Sequence, residues 1–272
     1  MLRAVGIVVV LSLSLLPLVW TLLAALGLQP VGLSLTGTAT LDNFGAVGIF
    51  EPAFLTEFLY TLAVAVTATV ITIATAFPAA YWLAHRESDL GARARGRVDG
   101  LMQGMLVLAI SPLIAYALPL ENLERAAGLY GTFQGLVLAM AAVQIPLALW
   151  LLRGYLERIP RSLDEAAILD GASWTTILWR VALPVGAGGV IATAVLVFVL
   201  DWNLFLLPSV LTEHPPMVLP MAMRDFFAFE RDLEWPTAAA ALVVTMAPAF
   251  LLVLATQRAL ERIIFVPMEA VL

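Results

Sequence analysis

Apolar positions along the chain gather into six long runs, residues 5–26, 54–84, 101–118, 132–152, 186–210 and 237–257, separated by shorter polar stretches. A helix needs about 20 apolar residues to cross the hydrocarbon core of a bilayer. The pattern therefore predicts an all-α polytopic membrane protein, six transmembrane helices in one domain spanning 1–272. The second run is long enough to tilt or to begin before the lipid. The first reads as a span and not as a cleaved signal peptide, because it exceeds the about 7–15 apolar residues of a signal core. Residues 28–53, with Gly, Pro and Thr, read as a loop built on turn chemistry. Pro112, Pro146 and Pro248 fall inside runs three, four and six and each frees a backbone carbonyl. Two readings of them stay open: kinks that serve moving parts or a lined cavity, or the general frequency of proline in membrane helices.

Composition agrees with the pattern and narrows the function. Hydrophobic residues make up 62% of the chain and charged residues 12%, too apolar for one soluble core. Cysteine is absent, which excludes disulfides and thiolate metal sites. Lysine is absent too, so the chain has neither a P-loop lysine nor a Schiff-base lysine, and any ATP must be bound by another chain. The arginines set an orientation. Arg3, Arg86, Arg93, Arg95, Arg97, Arg153, Arg158, Arg161, Arg180, Arg258 and Arg262 fall on one side, against Arg125, Arg224 and Arg231 on the other. The positive-inside rule then puts both termini in the cytoplasm.

One stretch breaks the apolar pattern: DEAAILDGASWTTILWRVALPV, Asp164 to Val185, between runs four and five on the cytoplasmic side. Pro160 stops the preceding helix. Ser162 and Glu165 have the spacing of a capping box, and Asp164 and Glu165 suit the positive end of a helix over about 163–170. Gly171 is placed to end that helix in the left-handed conformation, and Ser173 to cap a second short helix carrying Trp174 and Trp179. The result is a helix–turn–helix elbow over 160–184. Ala166 and Ala167 let another backbone approach, and Ile168, Leu169 and Trp174 flank them. A helix this short is marginal alone and needs a groove to lie in, a recurrent mode of partner binding.

Glu165-Ala166-Ala167, three residues, Gly171, nine residues, then Val181-Ala182-Leu183-Pro184 resembles the EAA loop of binding-protein-dependent ABC importer permeases, departing only in Val181 for isoleucine. Ala80-Tyr81-Trp82-Leu83-Ala84-His85-Arg86, Trp202-Asn203 and Gln257-Arg258 resemble further motifs of the carbohydrate group, and the chain as a whole looks like the second six-span permease of a maltose-type importer. It departs at Tyr60-Thr61, where that group has Asn-Ser, and in a tail, 263–272, without the usual glycines. The resemblance implies an inner-membrane permease without catalysis of its own. It implies a coupling helix seated in a cytoplasmic ABC ATPase, with Glu165, Ala166, Ala167, Ile168, Asp170, Gly171 and Trp174 at the contact. Implied partners are a second permease, two ATPase copies that hold ATP and Mg, an extracytoplasmic solute-binding protein and the lipid bilayer, with no nucleic acid and no metal on this chain. Glu165 carries two readings, a contact to the ATPase or a cap on its own helix.

Asp201 is the one acid well inside an apolar run, a position that is functional by default unless the group reaches headgroup water. Trp202 and Asn203 beside it offer a ring face and an amide to a sugar, with interfacial anchoring as the alternative for Trp202. Thr67, Thr69, Thr72 and Thr75 read as bonded back to their own helix, and Gln144 as a partner for carbonyls freed by Pro146. His85 and His214 read as loop residues on opposite sides, unable to share a site. The competing class is an ion-gradient-driven secondary transporter, which would show acids in several helices and two related halves.

Overall fold

The computed structural model describes residues 2–31, 34–49, 51–86, 91–214, 216–224 and 235–264. Its elements in chain order are α1 (Leu2–Ala25), β1 (Gln29–Val31), β2 (Ser34–Thr36), α2 (Asp42–Ala46), α3 (Pro52–Arg86), α4 (Ala92–Ile110), α5 (Ile114–Ala127), α6 (Phe133–Leu156), α7 (Ser162–Leu169), α8 (Trp174–Ile177), α9 (Leu183–Val185), α10 (Ala187–Trp202), α11 (Leu206–Leu211), α12 (Leu219–Ala222) and α13 (Trp235–Ile264). They fall into two compact units, Met1–Thr61 with Pro216–Phe250, and Leu62–Pro215 with Leu251–Leu272.

The first unit holds α1, the start of α3, α12 and the start of α13. Trp20 and Trp235 meet edge to face with ring centroids 6.3 Å apart. Residues 28–53 are not a plain loop: β1 and β2 pair antiparallel, Gln29 opposite Thr36, and α2 follows. Gly27 and Gly37 lie at φ +80° and +101°, where an L side chain is strained. Thr61, at the departure from the family pattern, has a tertiary role. Its hydroxyl donates to Glu57 O at 2.6 Å and accepts the Leu219 amide at 2.7 Å, at the first turn of α12.

The second unit packs α3, α4, α6, the elbow and α10 around one core. Ala76, Phe77, Ala80, Tyr81 and Ala84 of α3 meet Met102 of α4, Leu149, Leu152 and Leu156 of α6, and Ile177, Leu178, Ala182 and Val197. Small residues on α3 admit the larger side chains of α6. Between α6 and α10 the approach is closer still: a Cβ on Gly189 would collide with the Tyr155 ring. Outward faces stay apolar, with Leu13 71% exposed on α1 and Val70 59% on α3. That surface suits hydrocarbon and not water.

Three helices among the described residues are long and apolar enough to cross a membrane: Pro52–His85, Phe133–Leu156 and Trp235–Gln257. The third apolar run is not a single rod: Arg95–Ile110 and Ile114–Ala127 meet at 99°. A second bend, of 78°, separates Trp174–Val185 from Ala187–Trp202 at the start of the fifth run. The first break has a local cause. Ser111, before Pro112, is extended at ψ 145°, as a residue preceding proline prefers. Its hydroxyl donates to Val107 O at 2.7 Å, and the Tyr116 hydroxyl reaches back across the break to Leu108 O at 2.7 Å. The fifth run ends its helix at Trp202 and resumes in α11. Pro146 and Pro248 do not interrupt α6 and α13.

Candidate functional site: the elbow between α6 and α10

α6 ends at Leu156, and the chain turns through Ile159 and Pro160 into α7. The amides of Asp164 and Glu165 both bond to Arg161 O at 3.0 Å, so the helix begins one residue earlier than a Ser162 cap requires. Arg161 is the N-cap residue and makes no side-chain cap bond, so the expected Ser162–Glu165 capping box is absent. The end of α7 is as its glycine predicts. Gly171 lies at φ +78°, its amide bonds to Ile168 O at 2.9 Å, and the Ala172 amide bonds to Ala167 O at 2.9 Å. These two bonds are the pair of a Schellman motif, which satisfies carbonyls that a helix end otherwise strands. Ser173 then accepts the Thr176 amide at 3.3 Å and caps α8. A π-helical turn over Leu178–Ala182 and α9 lead to Gly186 and α10.

α7 buries no residue, and Ala167 is its only side chain packed on the core. Glu165, Ala166, Ile168 and Asp170 are exposed, and Leu169 is 88% exposed. Leu163, Trp174 and Trp179 add more open apolar surface on the same segment. An eight-residue helix with its apolar side chains turned outward and a stiff, well-bonded turn behind it is built to meet another surface.

The elbow is held from α3. Phe77, Tyr81 and His85 repeat at four-residue spacing and so share one face of that helix. Phe77 lies 6.3 Å from the Trp179 ring, and Tyr81 lies 6.5 Å from Trp174. His85 is not the loop residue expected of it. It lies in α3, 6% exposed, with Nδ1 at 2.6 Å from Asp164 Oδ2 and Nε2 at 3.2 Å from Leu156 O. Asp164 thus spends its carboxylate on this pair as well as on the end of α7. The four-residue aromatic repeat ending in His85 was the signal in the sequence that could have disclosed the contact.

Asp201 lies at the end of α10, 3% exposed, and Oδ1 accepts from Gln144 Nε2 of α6 at 3.3 Å. Thr69 of α3 stands beside the same carboxylate. Gln144 therefore serves Asp201 and not carbonyls freed by Pro146. Trp202 is 1% exposed and stacks on Phe198, with centroids 5.8 Å apart, while Asn203 is exposed and donates to Val199 O at 2.7 Å. Of these three residues only Asn203 is open at the surface of the chain. Thr75 bonds back to Ile71 O at 2.8 Å, but Thr72 reaches across to Ala141 O of α6 at 3.5 Å.

Residues 76–266 match the family described as binding-protein-dependent transport system inner membrane component. The trehalose transport system permease protein SugB of Mycobacterium tuberculosis is 33% identical over 255 residues, covering 90% of this chain and 88% of that protein. The trehalose/maltose transport system permease protein MalG of Thermococcus litoralis is 27% identical over 264 residues, covering 93% and 91%. A chain of a bacterial ABC transporter involved in import of the acidic polysaccharide alginate shares the fold, with TM-score 0.74 at 20% identity over 94% of each chain. The chain belongs to this family of binding-protein-dependent inner membrane components, and it is a multi-pass membrane protein.

Proposed function

We propose that this family member is one permease subunit of an ATP-driven ABC importer for a sugar or sugar derivative. It forms half of the translocation pathway and meets a cytoplasmic ATPase through the elbow. The observation that carries the reading is the elbow, with Ile168 and Leu169 exposed at the end of α7 and Trp174 partly exposed at the start of α8, on a segment tied by its turn to the core of the chain. The sugar assignment rests on relatives named for trehalose and maltose. A second permease, two ATPase copies holding ATP and Mg, and an extracytoplasmic binding protein complete the assembly. Both termini face the cytoplasm, as the arginine distribution requires. Asn203 is exposed just past the end of α10, and the buried Asp201–Gln144 pair fixes that end behind it.

The test is co-purification of the chain from its own membranes, as wild type and as Leu169→Glu. Leu169 is 88% exposed, so the substitution leaves the fold in place. An ATPase activity that accompanies the wild type and is lost from the variant supports the reading. A wild-type chain that carries no ATPase contradicts it.

A further inference from the structure

We propose that His85 is a positioning residue that locks the elbow to α3 and α6, so that movement of α7 is passed to the membrane helices. The inference rests on the reading of α7 as the ATPase contact and adds the residue through which that contact is transmitted. Three points on one face of α3 touch the elbow, and they differ in kind. The Phe77–Trp179 and Tyr81–Trp174 contacts are tilted ring pairs with centroids 6.3 and 6.5 Å apart. Such pairs tolerate sliding, because their attraction varies slowly with position. The His85–Asp164 contact is short and directional, at 2.6 Å.

The imidazole joins three helices. Nδ1 faces the Asp164 carboxylate of α7, and Nε2 faces the carbonyl of Leu156, the last residue of α6. Both partners are acceptors, a carboxylate oxygen and a backbone carbonyl, so the ring is held at both of its nitrogens. Tyr81 stacks on the ring at 4.6 Å and fixes its plane. Arg161, at the entry to α7, donates to Ala84 O at 3.3 Å and adds a second tie to the same end of α3. α7 has no buried side chain of its own. Its grip on the rest of the chain comes from its two ends, from Ala167, from the Arg161 bond to α3 and from this pair. Without the pair, α7 slides against α3, and ATP is hydrolysed with little substrate moved.

The experiment uses the complete importer that co-purifies with the chain, reconstituted in proteoliposomes. It reads ATP hydrolysis and uptake of labelled trehalose or maltose, expressed as sugar moved per ATP. His85→Ala and Asp164→Asn are each expected to keep the ATPase bound and to lower that ratio about tenfold, the scale of ordinary coupling free energies. The double variant is expected to be no worse than either single one, because both remove the same contact. His85→Arg, whose guanidinium offers donors to both Asp164 and Leu156 O, restores most of the ratio. A ratio unchanged in both single variants, or losses that multiply in the double, overturns the proposal. If His85→Ala does not accumulate, Asp164→Asn decides, since that side chain is 17% exposed and its loss is better tolerated. A wild-type complex without ATPase removes the coupling reading and the lock with it, whereas a coupled wild type with unaffected variants removes the lock alone.

Discussion

At Gly171 the backbone stands at φ +78°, and a Cβ there would meet nothing within 4 Å. The penalty for a side chain is therefore the left-handed backbone alone, about 1–2 kcal/mol for an ordinary L-residue and less for Asn. Gly171→Ala is expected to weaken retention of the ATPase, and Gly171→Asn to weaken it less, as measured by ATPase activity recovered per mole of chain. Gly189 is constrained in the opposite way. It lies in a helix, and the obstacle is the Tyr155 ring against which a Cβ would press. Gly189→Ala is expected to destabilise the chain by about 1–3 kcal/mol, the usual cost of overpacking. A thermal scan in detergent checks this, and adding Tyr155→Ala relieves the collision and recovers part of the loss. The Gly171 turn was legible in the sequence, because EAA, three residues and glycine mark a short helix and its stop. The need for Gly189 was not, because Tyr155 lies 34 residues away in the chain.

Among the elements, α3 and the elbow form the most specific pairing. Phe77 is 2% exposed within the core, while Trp179, its ring neighbour, is 52% exposed. Phe77→Ala is expected to cost about 3–5 kcal/mol, as large-to-small core changes do. Trp179→Ala is expected to cost much less stability and to show its effect in ATPase retention instead. Equal losses of thermal stability would mean that the two rings share one structural role. Elements were easier to read from the sequence than their breaks. Pro112, Pro146 and Pro248 look alike on paper, yet of these three only Pro112 coincides with a turn, of 99°. What distinguishes it is the company it keeps: an extended Ser111 whose hydroxyl satisfies Val107 O, and a Tyr116 that does the same for Leu108 O. Pairings such as His85 with Asp164 and Gln144 with Asp201 span 79 and 57 residues. The four-residue repeat of Phe77, Tyr81 and His85 marks the face of α3 that carries His85, but nothing local names Asp164 or Asp201 as the partner, so both pairings emerge only in the tertiary structure.

For the whole molecule, family membership and apolar outward faces show a membrane permease subunit, and the exposed elbow carries the proposal that it converts an ATPase's motion into transport. The apolar exterior and the helical class follow directly from composition and run length. The hairpin of β1 and β2 does not, since three-residue strands leave too short a pattern to separate from a loop. The most direct measurement is uptake of labelled trehalose or maltose into proteoliposomes bearing the co-purified complex, with the binding protein outside and ATP enclosed. Ionophores are added to collapse proton and sodium gradients. The account predicts uptake that requires enclosed ATP and is indifferent to the ionophores. Uptake without ATP, driven by an imposed ion gradient and abolished by the ionophores, would contradict it and make the chain a secondary transporter.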